Sequence, residues 1–167
     1  MWYLLSIIVG IFCGVYGMSR IYRTKYKVLK EQLSTNDEKW KEFYQILNLW
    51  LELSQSGHSV TEYFEKRNIN TIAVYGMKEL GERLIYEIKD SKTDVSYLID
   101  KNADTVYSNM KVYYPYEELP KVDAIVVTAI HYYPEIEEEL YKRVNYPIIN
   151  LTDIIYESLN DNIDTRL

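Results

Sequence analysis

The 167-residue chain carries a net charge of −6, and 47 % of it is hydrophobic. That is room for one soluble domain of modest size plus an attachment. Its first 30 residues hold five cations and no acid, so residues 31–167 carry −11, a balance that repels nucleic acid. The single cysteine, Cys13, excludes an intramolecular disulfide and a cysteine-based zinc site.

Residues 1–19, MWYLLSIIVGIFCGVYGMS, contain no charged side chain. A helix of that length roughly matches a bilayer core, so the segment is expected to be a single transmembrane anchor. A cleaved signal peptide would need cations before the apolar run and a small-residue cleavage site after it. Arg20, Arg23, Lys25, Lys27 and Lys30 follow instead, in a basic juxtamembrane segment over 20–34. The positive-inside rule then places the following domain in the cytoplasm, at the cell membrane. Anionic headgroups are the natural partner of this segment. Gly10 and Gly14 form a G-x-x-x-G that permits homodimerisation of the anchor, although glycine is also common in membrane helices.

A helical segment is expected over 35–68. Thr35 and Glu38 read as a capping box, with a helix ending near Gly57 and an apolar face of Trp40, Phe43, Tyr44, Leu47, Trp50, Leu51 and Ser54. The domain's own sheet, a partner helix or a second subunit would cover that face. Ser59 and Glu62 read as a second capping box, before a short helix ended by Asn68 in a left-handed conformation.

From residue 69 the pattern alternates. Strands are expected at Thr71–Tyr75, Val95–Ile99, Lys111–Tyr114, Ala124–Ala129 and Pro147–Asn150. Helices are expected at Glu79–Lys89, from Pro134 to about Arg143, and from Thr152 to about Leu159, with a loop or one short turn over 101–110. The continuous apolar run Ala124–Ala129 is of the kind buried on both faces of a parallel sheet, so it should lie centrally beside the first strand. The fold class is therefore α/β, a Rossmann-like open parallel sheet of about five strands over 69–167 with helices on both faces.

The turn after the first strand, Gly76-Met77-Lys78-Glu79-Leu80-Gly81, follows G-x-G-x-x-G except that Lys78 replaces the middle glycine. Asp100 lies at the end of the second strand, close to the spacing at which a carboxylate holds a ribose hydroxyl. Ligands of such sheets bind outside the strands' carboxyl ends, so the candidate binding residues are Gly76, Met77, Lys78, Gly81, Asp100, Lys101, Thr128 and His131. Lys78 either sets an ammonium beside a phosphate or fills the space a pyrophosphate needs. Gly76 and Gly81 serve a tight strand-to-helix turn whether or not anything binds. His131 lacks a paired nucleophile, and two distant histidines suggest no metal site. The Tyr-x-x-x-Lys pairs at Tyr26 with Lys30 and Tyr97 with Lys101 fall where neither is presented from a helix over a nicotinamide. The chain is accordingly not read as an enzyme by itself.

On IAVYGMKELGERL, YLIDKNAD and AIVVTAIHYYPEI, the segment from about Trp40 to Tyr156 resembles the small Rossmann-like domains of bacterial surface-polysaccharide gene products. Similar modules stand beside glycosyltransferase, sugar-transferase and methyltransferase domains. The nucleotide-binding module of membrane-bound nucleotide-sugar dehydratases of capsule synthesis is also similar, with a catalytic domain following it that is not seen here. The resemblance implies NAD(P) or a nucleotide-sugar as ligand, a role in capsule or exopolysaccharide assembly, and glycosyltransferases or other polysaccharide-synthesis proteins as partners. The alternative is a ligand-free scaffold that recruits or dimerises such partners.

Overall fold

The computed structural model of the protein describes residues 35–164, with side chains described as far as Asp161. The expected anchor over 1–19 and the basic segment over 20–34 lie outside the described residues. No helix among the described residues is long and apolar enough to cross a membrane. The chain divides into two compact units, Met1–Tyr44 and Gln45–Leu167. In the first, Trp40 and Phe43 pack edge to face, with ring centroids 5.8 Å apart.

Helix α1 occupies residues 35–55. The helix is already formed at residue 35, the first of the described residues. The buried stripe in the second unit is Ile46, Trp50 and Leu53, whereas Leu51 and Ser54 are exposed. The helix is thus rotated from the expected face. Trp50 lies on both faces, and its indole N–H donates to Glu87 Oε2 at 2.6 Å. Gly57, at φ +84°, stops the helix as expected.

Helix α2 spans Thr61–Lys66. Its expected capping box is replaced. Glu62 faces His58 Nδ1 at 3.1 Å, while Glu87 accepts the Ser59 hydroxyl at 2.7 Å and the Val60 amide at 3.0 Å. A carboxylate from another helix has taken the local acid's place. Asn68 adopts the expected left-handed conformation, at φ +54°.

Strand β1 (Thr71–Tyr75) is followed by α3 (Glu79–Ile88), β2 (Asp94–Ile99), a 3-10 turn (Ala103–Thr105), β3 (Val112–Tyr113) and β4 (Ala124–Val127). A second 3-10 turn (Ile130–Tyr132) opens α4 (Tyr133–Tyr141), and β5 (Ile148–Asn150) runs directly into α5 (Leu151–Asp164). Helix α5 starts one residue earlier than expected because Asn150 Oδ1, not Thr152, caps it, accepting the Thr152 amide at 3.0 Å, and it runs on to Asp164.

The strands form one parallel sheet in the order β3-β2-β1-β4-β5. This is the order of the first five strands of a doubly wound dinucleotide-binding sheet, and it puts β4 beside β1 as expected. Alternation along the strands divides the core. Ala73, Tyr75, Tyr97, Ile99, Ile125, Val127 and Ile148 pack with Ile136 and Leu140 of α4. The neighbouring Ile72, Val74, Leu98 and Val126 are also fully buried and point the other way. Leu80, Leu84 and Ile88 of α3, Phe64 of α2, and Leu151, Ile154 and Ile155 of α5 supply further buried apolar surface. Helix α2 packs against α5, joined by Lys66 with Asp161 at 3.0 Å and by Arg67 with Glu157.

Candidate functional site

Strand β1 ends in a turn that only glycine tolerates at two points. Gly76 has φ +98°, and a Cβ there would sit 3.0 Å from Thr128 Oγ1. A Cβ on Gly81 would lie 2.1 Å from the Gly76 carbonyl oxygen, so the first turn of α3 rests directly on the end of β1. Both spaced glycines are therefore accounted for by packing.

The peptide group between Gly76 and Met77 is held at both of its polar ends. Thr128, at the end of β4 and 5 % exposed, donates its hydroxyl proton to the Gly76 carbonyl at 2.7 Å, with the Tyr75 carbonyl also 3.1 Å away. On the other side, the Met77 amide donates to Asp100 Oδ2 at 3.1 Å. The second carboxylate oxygen of Asp100 accepts the Asn102 amide at 2.8 Å. Three strand ends, β2, β1 and β4, are thus tied together through one peptide unit.

The structure brings Gly76, Met77, Gly81, Asp100 and Thr128 into this network. Lys78 caps α3 with extended backbone, φ −96° and ψ −164°, which any residue adopts, and no side chain caps the helix. Its own side chain is exposed, as is that of Lys101. His131 sits half-buried in the 3-10 turn after β4. The Thr128 hydroxyl braces the turn, supplying the donor that the part-buried Gly76 carbonyl needs.

Tyr75, the last residue of β1, also reaches this edge. It is 3 % exposed, and its hydroxyl is buried with no hydrogen-bond partner. Burial, followed by the Glu139 and Asp100 carboxylates, pushes its ionisation up to about 12, so it stays a neutral phenol at physiological pH.

Two open hollows are lined by none of the candidate binding residues. One is lined by Glu135, Glu138, Glu139, Lys142 and Arg143, the other by Tyr116, Glu117, Glu118, Leu119, Arg143 and Val144. Among the described residues, no group of three or more His, Cys, Asp or Glu side chains could hold a metal ion. No family model, curated protein or solved structure matches the chain.

Proposed function

We propose that the chain is a Rossmann-like binding module, membrane-anchored through residues 1–19, that holds a nucleotide or nucleotide-sugar at the carboxyl edge of its sheet. The observation that carries this reading is the fixed Asp100 carboxylate. An ionised carboxylate offers about four acceptor positions. Backbone amides use two of them here, which leaves acceptor capacity for a ribose diol. The first-turn amides of α3 have no side-chain cap, and Lys78, the N-cap residue, has an exposed side chain long enough to bring its ammonium to a phosphate bound there.

In this reading Asp100 holds the ribose, Lys78 and the α3 amides hold phosphate, and His131 and Lys101 border the ligand. Thr128 serves as the brace. Nothing in the set supplies a nucleophile with its base, so the module binds without catalysing. Its placement beside glycosyltransferases or related proteins of surface-polysaccharide assembly rests on the resemblance of the three quoted segments.

One observation favours a second reading, a ligand-free scaffold. The turn is already closed by its own side chains, with the Gly76 carbonyl and the Met77 amide both satisfied. A thermal-shift titration separates the two, because a ligand that binds only the folded state raises its stability. The panel is NAD, NADP, coenzyme A, nucleoside diphosphates and nucleotide-sugars. A saturable shift with one class supports the binding module, and no shift with any supports the scaffold.

A further inference from the structure

We draw no further inference here: the strongest candidate, the solvent-facing edge of α1 on which Trp40 and Leu51 stand exposed, carries nothing because nothing in the structure shows what covers it.

Discussion

Asp123 and Asp100 stand at opposite ends of the same sheet and do the same local chemistry. At the amino end, Asp123 Oδ2 accepts the Asn70 amide at 2.9 Å, the Thr71 amide at 2.8 Å and the Thr71 hydroxyl at 3.0 Å, stapling the start of β4 to the start of β1. The amides of Thr71 and Asn70, then the Thr71 hydroxyl, hold its carboxyl below the usual carboxylate range. At the carboxyl end, Asp100 accepts two amides, one on each oxygen. An exposed lysine stands near each carboxylate, Lys121 at the amino end and Lys78 or Lys101 at the carboxyl end, but among the described residues the glycine turn and the uncapped helix start lie beside Asp100. A strand-end aspartate is thus a backbone clamp first, and its surroundings decide whether it is anything more.

The largest expected effect falls on the packing that makes the carboxyl end what it is. Gly81→Ala forces a Cβ against the Gly76 carbonyl and should cost about 3 kcal/mol or more in urea unfolding. A loss below about 1 kcal/mol would show that the turn yields easily and that the close approach is not built in. Thr128→Val keeps the shape but strips the Gly76 carbonyl of its donor. A loss of about 2 kcal/mol is expected, with Thr128→Ser retaining most of the stability. Equal losses for both substitutions would remove the brace.

The two aspartates are then separated by what each variant leaves intact. Asp100→Ala should weaken nucleotide binding about tenfold, the value of one charge-assisted contact of roughly 1.4 kcal/mol, while the domain stays folded. Unchanged affinity by calorimetry would take Asp100 out of the site. Asp123→Asn should leave binding alone and cost less than about 1 kcal/mol at neutral pH, since the group is exposed and screened. Its sign with pH is fixed by the lowered folded value. The contribution is present above the unfolded carboxyl's range near pH 4 and is lost as pH falls through the folded value. The variant should therefore flatten the acid limb of the stability curve, and an unaltered limb would assign acid sensitivity elsewhere.

Tyr75→Phe has the smallest expected effect and the opposite sign. Removing a buried hydroxyl that has no partner should raise stability by about 0.5 kcal/mol. With the folded phenol at about 12 against 10.0 for a free tyrosine, its contribution is full below pH 10 and is lost toward pH 12, so the variant should also unfold less steeply in that alkaline window. A destabilised variant would mean that the hydroxyl is satisfied after all.

These contrasts also mark how far the chain can be read from its sequence. Strand β1 is legible to the residue, because a short apolar run ending at a glycine turn has few other solutions. Helix α3 and the central place of β4 follow in the same way from a 3.6-residue stripe and a run buried on both faces. The contacts that set details are not local. Glu87 reaches Ser59 across 28 residues and displaces the expected capping box, and the same carboxylate accepts the Trp50 indole N–H, 37 residues away. Thr128 meets Gly76 across 52 residues, and Asp123 meets Thr71 across the same separation. No periodicity encodes such pairs. The glycines and Asp100 were visible as candidates because turn chemistry is local, but that the turn is closed by Thr128 on one side and Asp100 on the other was not.

The most direct test of the central claim is calorimetric titration of the full chain, Asp100→Ala and Asp123→Asn with ADP and UDP. The account predicts saturable binding by the native chain and by Asp123→Asn, weakened about tenfold in Asp100→Ala. Absence of binding by the native chain, or equal weakening by both substitutions, would contradict it and leave the two aspartates as clamps alike.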